Sequence, residues 1–164
     1  MQPVLCAVAV GSNLGDRTAT IRSAITALDA IEGIDVVEIS SLHETEPVGG
    51  PDQGPFLNGA FLIRTVMRPR ELLEHLHAVE RTFGRVRPDP VRNGPRTLDL
   101  DLLLHGDEVL EESDITIPHP RMHERSFVLD PLVEIGGDLR HPVHARTVYE
   151  LHRALSTPKQ DVTP

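Results

Sequence analysis

Cysteine, tryptophan and aromatic side chains in general are scarce or missing in this chain of 164 residues. Cys6 is the only cysteine, and there is no tryptophan. A lone cysteine excludes an internal disulfide and a metal cage built from thiolates. Cys6 lies in an apolar run, so we expect it to be a small buried hydrophobe. Aromatic residues make up 3% of the chain, and the core of a domain of this length must therefore rest on aliphatic side chains.

The chain also lacks an excess of positive charge and a long apolar run. Its net charge is −9, which disfavours a nucleic-acid partner because phosphate backbones need a basic face. The apolar run Val4–Val10 is too short to span a membrane and has no basic leader. We therefore expect a cytoplasmic monomer without membrane contact, with one domain over residues 1–155 and a flexible tail over residues 156–164.

Hydrophobic periodicity predicts the element order β-α-β-β-α-β. The predicted elements are strand Val4–Val10, helix Arg17–Ile31, strands Ile34–His43 and Asn58–Met67, a helix from Pro69 to Phe83, and strand Thr97–His105. This order is typical of the α+β class with a ferredoxin-like core, in which an antiparallel sheet carries both helices on one face. Two long loops, Glu44–Pro55 and Arg85–Pro95, would border the other face, which is left without helices. A C-terminal extension follows, with helical stretches near His123–Ile135 and Val148–Leu155.

An alternation of acids and leucines is the strongest functional signal. Asp99 and Asp101 alternate with leucines at positions 98, 100, 102 and 104. Successive side chains of a strand point to opposite faces, so both carboxylates would share one face while the leucine row packs into the core. Aspartate is depleted in strands. The pattern favours a pair that holds a hard cation such as Mg²⁺ over the alternative of solvated acids on an exposed face.

Arginines cluster directly before that strand. Arg85, Arg87, Arg92 and Arg96 lie close together in a chain whose only lysine is Lys159. Guanidinium forks bind phosphate oxygens bidentately, so the set favours a phosphate clamp over a solvated charge run. Acids that hold magnesium beside arginines that hold phosphate suggest nucleotide chemistry.

Several other candidates each have two open interpretations. His119 stands in a Pro-rich turn followed by Arg125, and the two could hold phosphate or AMP, or His119 could be an ordinary surface histidine. Phe56 and Phe127 could sandwich a flat ring, or could belong to the core. The segment Gly11–Gly15 lacks the Gly-Lys-Ser/Thr ending of a phosphate loop, so it is interpreted as a strand-to-helix turn.

Taken together, the motifs resemble those of one enzyme family. In chain order they are Gly11–Asp16, Thr45–Gly49, Phe56–Asn58, Glu80, Gly84–Arg87, Gly94–Asp101, Ile117–Arg121 and Arg125–Phe127. Over residues 4–155 the chain is similar to the 6-hydroxymethyl-7,8-dihydropterin pyrophosphokinases of folate biosynthesis. The resemblance implies an ATP-dependent transfer of pyrophosphate, in which the pterin's hydroxymethyl oxygen attacks the β-phosphorus and AMP leaves.

The resemblance also implies roles for the matching residues. Asp99 and Asp101 would hold two Mg²⁺ ions, and they would form the catalytic set with Arg85 and Arg96. The implied nucleotide-binding residues are His77, Glu80, Arg87, Leu102, Thr116, His119 and Arg125, and the implied pterin-binding residues are Thr45, Glu46, Val48, Phe56, Asn58 and Phe127. Arg87, Arg92 and Asn93 would lie in a mobile loop. The expected partners are only the small molecules ATP and 6-hydroxymethyl-7,8-dihydropterin.

Three residues depart from the usual family pattern. Asn93 stands where a tryptophan is common, His77 where a glutamine is common, and Phe56 where a tyrosine is common. We expect these departures to change affinity and loop closure more than the reaction. Two rival interpretations use the same residues: another metal-dependent enzyme, such as a nucleotidyltransferase or phosphohydrolase, and a regulatory module that only binds a small ligand.

Overall fold

The computed structural model describes residues 2–46, 54–84 and 97–156. The strands in these ranges are β1 Val4–Ser12, β2 Asp35–Ile39, β3 His43–Thr45, β4 Phe56–Thr65, β5 Asp99–His105, β6 Leu110–Glu111, β7 Thr116–Ile117, β8 Arg140–His141 and β9 Arg146–Thr147. The α-helices are α1 Arg17–Asp29, α2 Pro69–Thr82, α3 Ser126–Gly136 and α4 Val148–Ser156, and a 3₁₀ turn at Met122–Glu124 precedes α3.

An antiparallel sheet organises these elements. Its strand order is β2-β4-β1-β5, and β3 pairs with β4 beyond the end of β2. Strands β6 and β7 form one short hairpin, and β8 and β9 form another. The antiparallel sheet and the four α-helices found within the described ranges confirm the predicted α+β class. No helix within the described ranges is long and apolar enough to cross a lipid bilayer.

Helices α1 and α2 cover one face of the sheet, as predicted. The Asp16 carboxylate accepts the Ala19 N–H at 3.1 Å and caps the start of α1. Pro69 occupies the first turn of α2, where its missing N–H costs nothing. Gly84, with φ +89°, follows the end of α2 in a conformation that other residues rarely adopt.

Apolar side chains, nearly all of them aliphatic, fill the layer between these two helices and the sheet. They include Ile21 and Leu28 of α1, Leu72 and Leu76 of α2, and Phe61 and Ile63 of β4, and each of the six is inaccessible to solvent. Full burial of a side chain of this size contributes roughly 1.5–3 kcal/mol. This cluster therefore anchors both helices to the central strands.

The second face of the sheet is also covered, which corrects the prediction that it carries no helices. Val128, Leu129 and Leu132 of α3 pack with Ala60 and Leu62 of β4. Helix α4 joins this second cluster through Val148 and Leu151. The same apolar layer contains Ala7 of β1 and Leu104 of β5. The C-terminal extension is thus a second layer, because α3 has an apolar side that needs a partner surface.

The predicted strand Ile34–His43 is divided in the structure into β2 and β3. Ser40 lies between them, and its hydroxyl accepts the Ala60 N–H at 2.9 Å while its own N–H donates to the Ala60 carbonyl at 2.9 Å. A register shift between Val36 and Glu38 bends β2 further. The Ser40 hydroxyl thus accepts a backbone N–H that a carbonyl of the neighbouring strand would otherwise accept, which interrupts the ladder between β2 and β3.

Several predicted boundaries also shift. Strand β4 begins at Phe56, two residues before the predicted start, and its end is fixed by Thr65, whose hydroxyl donates to the Gly33 carbonyl at 2.6 Å. Strand β1 continues through Ser12, so Gly11 belongs to the sheet and not to the predicted turn. At the C-terminus, α4 includes Ser156, and the rest of the predicted tail, residues 157–164, lies outside the described residues.

Strand β5 carries the acids as predicted, with one exception in the leucine row. Leu98, Leu100 and Leu102 pack into the cluster under α1 and α2. The pairing of β5 with β1 shifts register between Ala7 and Val8, so that Leu104 turns to the second face. A bulge of this kind changes which side of the sheet the following residues occupy.

Candidate active site

A cavity of about 380 Å³ opens on the second face of the sheet, beside the start of α3. Residues from four separate parts of the chain line it: Thr45, Glu46, Phe56, Asn58, Asp99, Asp101, Arg121, Glu124, Arg125, Ser126 and Phe127. Eight of these eleven residues were predicted as site residues. The sheet register explains why residues so distant in sequence meet there.

Asp99 and Asp101 share the face that bounds this cavity. Asp99 is opposite Gly11 in β1, and Asp101 is opposite Ala9. Both carboxylates are half-buried, while Leu100 between them points to the other face. The alternation predicted from the sequence is therefore present over these residues.

The donor set at this point suits a hard divalent cation. Two carboxylates on one strand offer oxygen ligands, and no cluster of three or more candidate ligating side chains occurs in residues 2–46, 54–84 and 97–156. Magnesium is commonly bound by one or two carboxylates plus substrate phosphates and water, so a pair of acids without a third is sufficient. The residues present thus fit Mg²⁺ held jointly with a phosphorylated ligand.

Gly11 of β1 lies next to two residues that line the cavity, and sequence reasoning missed this position. It is opposite Asn58 on one side and Asp99 on the other. A Cβ atom added to Gly11 would lie 2.8 Å from Asn58 Oδ1. Only glycine leaves the space that the Asn58 amide occupies, because real Cβ atoms do not approach an oxygen so closely.

We expect Gly11→Ala to weaken binding on the Asn58 side of the cavity. The new methyl group would displace the Asn58 amide from its partner, raising the KM for the substrate that contacts Asn58 by about tenfold, the worth of one hydrogen bond to a buried group. Steady-state kinetics with each substrate varied in turn would measure this. Gly54→Ala is the matched control, because a Cβ there meets no atom of the described residues within 4 Å. An unchanged KM in Gly11→Ala would contradict the prediction.

The wall opposite the acids combines an amide, a hydroxyl and two aromatic rings. Asn58 Nδ2 donates to Thr45 Oγ1, and the pairing of Thr45 with Phe56 places Phe56 on the same face. Phe127 comes from the first turn of α3. The guanidinium carbon of Arg125 lies 5.5 Å from the centroid of the Phe127 ring, within range of a cation–π contact.

Strand β3 is tied to α3 by a second set of contacts. The Glu134 carboxylate accepts the Ser41 N–H at 2.9 Å and the Ser41 hydroxyl at 2.8 Å, and it pairs with His43 Nε2 at 2.5 Å. These contacts attach the start of β3 to α3, the helix whose first turn carries Phe127. The two sides of the wall are therefore held together by α3.

His119 stands just outside β7 and faces the acid pair. Its backbone N–H donates to the Leu103 carbonyl at 2.9 Å, and its ring Nδ1 accepts the backbone N–H of Arg121 at 3.2 Å. Burial, followed by the nearby charge of Arg125, lowers the pKa of His119 to about 4, although Asp99 acts in the opposite direction. The ring is thus neutral at pH 7, and because Nδ1 is an acceptor, its proton is on Nε2. His119 is a neutral hydrogen-bond donor at this edge of β5.

Glu80 is fully buried on α2, beneath the acid-bearing strand. Its Oε2 accepts the Leu100 N–H at 2.7 Å. Leu100 separates Asp99 from Asp101, so this bond fixes the backbone between the two acids. Glu80 reaches the outer edge of β5, the edge that β1 does not pair with.

The remaining predicted residues have mixed placements. His77 is half-buried on α2, and Thr116 is half-buried on β7. Leu102 is buried in the cluster under α1 and α2, on the face away from the cavity. The predicted residues Val48, Arg85, Arg87, Arg92, Asn93 and Arg96 lie outside the described residues.

Three residues that line the cavity were not among the predicted site residues. Arg121 and Glu124 lie in the segment between β7 and α3, and Ser126 is the first residue of α3. Glu124 Oε2 lies 3.6 Å from Arg121 Nε, and Glu124 Oε1 lies 3.6 Å from His123 Nε2. The negative charge of Glu124 therefore offsets part of the positive charge of this segment. In the sequence these three residues stand between His119 and Phe127, two predicted site residues, and this position was the signal that could have indicated them.

Comparison with known proteins identifies the family. A sequence profile described as 7,8-dihydro-6-hydroxymethylpterin-pyrophosphokinase (HPPK) matches residues 7–137. The 2-amino-4-hydroxy-6-hydroxymethyldihydropteridine pyrophosphokinase of Bacillus subtilis is 48% identical over 128 residues, which are 78% of this chain and 75% of that protein. The protein of the same name from Pseudomonas aeruginosa is 42% identical over 135 residues, 82% of each chain.

Longer proteins also match. The chain is 45% identical over 132 residues to folic acid synthesis protein fol1 of Schizosaccharomyces pombe, of which it spans 18%. The wild-type Plasmodium falciparum HPPK-DHPS crystal structure with pteroate has a TM-score of 0.72 at 13% identity, over 93% of this chain and 42% of that one. That likeness shows a shared fold. The profile match and the identities to the bacterial enzymes confirm the predicted family, and the chain belongs to the 7,8-dihydro-6-hydroxymethylpterin-pyrophosphokinases.

Proposed function

We propose that the cavity on the second sheet face is where a pyrophosphoryl group passes from ATP to the hydroxymethyl group of 6-hydroxymethyl-7,8-dihydropterin. The family is one of pyrophosphokinases. The observation that carries the assignment of the site is the placement of Asp99 and Asp101 opposite a wall made by Phe56, Asn58 and Phe127. The proposed metal-binding pair and the proposed slot for a flat polar ring would thus share one cavity.

The acids are the proposed ligands of magnesium. When bound there with ATP, two Mg²⁺ ions would neutralise phosphate charge and bring the attacking and leaving oxygens into line. Asp99 and Asp101 suit this role because both are half-buried on a strand whose backbone is fixed from beneath by Glu80. Asp101 is also proposed to help orient the pterin hydroxyl.

Cationic and neutral donors beside the acids are the proposed contacts of the triphosphate. Arg121 and Arg125 line the cavity, and His119 adds a neutral Nε2–H donor. Arg85 and Arg96, which lie outside the described residues, are proposed for the same task on the strength of the family resemblance alone. Together these groups would position ATP and neutralise its charge, which is most of what phosphoryl-type transfers require from a protein.

The two phenylalanines are the proposed faces of the pterin slot. Phe56 and Phe127 would stack on the bicyclic ring, while Asn58 and Thr45 would bond to its polar edge. The oxygen of the pterin hydroxymethyl group would then attack the β-phosphorus of ATP. A new O–P bond forms, the bridging bond between the α- and β-phosphates breaks, AMP leaves, and the hydroxyl proton is released. No side chain is assigned as general base.

The finer structural predictions belong to the same proposal. The strand order β2-β4-β1-β5 with α1 and α2 on one face supports a ferredoxin-like core, to which α3 and α4 add a layer. We also keep one domain over residues 1–155, a monomeric state and a cytoplasmic location as proposals. The nucleotide contacts of His77, Glu80, Arg87, Leu102 and Thr116 remain predictions.

Product analysis tests the proposed function. The chain, incubated with ATP, Mg²⁺ and 6-hydroxymethyl-7,8-dihydropterin, should release AMP in a 1:1 ratio to the pterin diphosphate, as the balance of bonds requires. Chromatography of both products over time measures this. Release of inorganic phosphate or diphosphate without the pterin product would instead favour a hydrolase or a nucleotidyltransferase.

A further inference from the structure

Arg17, the first residue of α1, contacts the chain just before and just after the connection from β3 to β4. Its Nη2 lies 2.9 Å from Glu44 Oε1 in β3. Its Nη1 donates to the carbonyl oxygen of Pro55 at 2.9 Å, and Pro55 directly precedes Phe56. One planar guanidinium therefore bridges the ends of two strands at the point where they carry Thr45 and Phe56.

This bridge lies on the face of the sheet opposite the cavity. Glu44 is paired with Leu57, which packs against the cluster under α1 and α2. Thr45 and Phe56, one residue away on each strand, face the cavity instead. Successive residues of a strand point to opposite faces. Arg17 thus acts on the cavity wall through the backbone and is not one of the lining residues.

A second contact supports the same end of β4. Asn13, a buried residue between β1 and α1, donates from Nδ2 to the Gly54 carbonyl at 3.3 Å. The start of α1 thereby holds two consecutive carbonyls, those of Gly54 and Pro55. Both precede the strand that carries Phe56 and Asn58.

We propose that Arg17 is a positioning residue for the pterin, because it fixes Thr45 and Phe56 relative to each other from the back of the sheet. This inference rests on the proposed pterin slot. Arginine suits the role because its rigid fork can reach a carboxylate and a carbonyl at once, whereas lysine offers a single point of charge. Arg17 and Glu44 are both partly exposed, so their pair contributes little to folding. The main consequence of losing this pair is that Thr45 and Phe56 are held less firmly relative to each other.

The test is a pair of binding measurements on the full chain. Calorimetry would give the Kd of the pterin with Mg²⁺ and a non-hydrolysable ATP analogue present, and the Kd of the analogue alone. Arg17→Ala should raise the pterin Kd about five- to tenfold, as expected for lost contacts of this kind. The Kd of the analogue should stay within about twofold, since the acids and His119 are held by β5 and β7. Arg17→Lys and Glu44→Gln should each give an intermediate pterin Kd.

Two further variants make the result decisive. Arg22→Ala, on an exposed position of the same helix, is the matched control and should leave both Kd values unchanged. Phe56→Ala tests the slot itself. If Phe56→Ala weakens pterin binding while Arg17→Ala does not, the inference about Arg17 is wrong and the slot stands. If neither variant changes the pterin Kd, the slot and the inference both fall. An equal loss of pterin and nucleotide binding in Arg17→Ala would show a general structural role and overturn the proposal.

Discussion

Asp99→Asn should lower kcat by about 10³-fold, the scale seen when one preorganised electrostatic contact to a transition state is lost. Asparagine keeps the shape of the side chain but removes the charge that would hold Mg²⁺ beside the phosphates. The effect should appear in kcat, because charge neutralisation matters most while the bridging bond breaks. AMP release at saturating substrates measures kcat, and calorimetry measures Mg²⁺-dependent binding of a non-hydrolysable ATP analogue, which should weaken as well.

The folded state should survive this substitution. Asp99 and Asp101 are like charges on one strand face, so removing one of them relieves repulsion, and the melting temperature should not fall. Asp107→Asn is the matched control, because Asp107 is an exposed acid just beyond the end of the same strand. Asp99→Asn with near-normal turnover would remove the acid pair from the mechanism. If Asp107→Asn lowered turnover by a similar factor, the loss would result from the change in net charge and not from the acid pair.

Local patterns were sufficient to predict β5. The alternation of leucines and acids is a property of the strand itself, and the structure has Asp99 and Asp101 on one face with Leu100 on the other. The bulge that turns Leu104 to the second face was not predictable from the same pattern. Every residue from 102 to 104 is leucine, so the sequence does not mark where the register shifts.

The second layer was missed because it depends on contacts between distant segments. The stretch around α3 could be predicted as helical, but periodicity does not say which surface its apolar side will cover. Ala60 and Leu62 of β4, together with Ala7 of β1, form the complementary surface. Covering that face also creates the cavity, because the start of α3 brings Arg125 and Phe127 over the acids.

The site residues were predicted mainly through the family resemblance. Composition and spacing alone favoured a metal pair and a phosphate clamp, but left Phe56 and Phe127 open between core and ligand slot. Their common cavity follows from the register of β3, β4 and β5, which single segments do not encode. Gly11 was missed because its role is to leave space, and a glycine before a helix is also typical of an ordinary turn.

The buried carboxyl group of Glu80 leads to the second large prediction. Glu80→Ala should lower the free energy of unfolding by about 3 kcal/mol, because it leaves the buried Leu100 N–H without its acceptor and opens a cavity. In a chain of this size that corresponds to a fall of roughly 6–12 °C in melting temperature. Urea unfolding followed by circular dichroism measures the free energy. Glu74→Ala, on an exposed position of the same helix, is the control and should change stability by less than about 0.5 kcal/mol.

Turnover should fall together with stability in this variant, for a reason that Glu80→Gln can isolate. Glutamine keeps a carbonyl oxygen that can accept the Leu100 N–H, so it should retain more of the stability and more of kcat than alanine does. If fixing the backbone between Asp99 and Asp101 is the main role of Glu80, kcat should follow the order wild type, Glu80→Gln, Glu80→Ala at a temperature where all three are folded. A glutamine variant as inactive as the alanine variant, but as stable as the wild type, would instead indicate that the carboxyl group acts directly on the nucleotide.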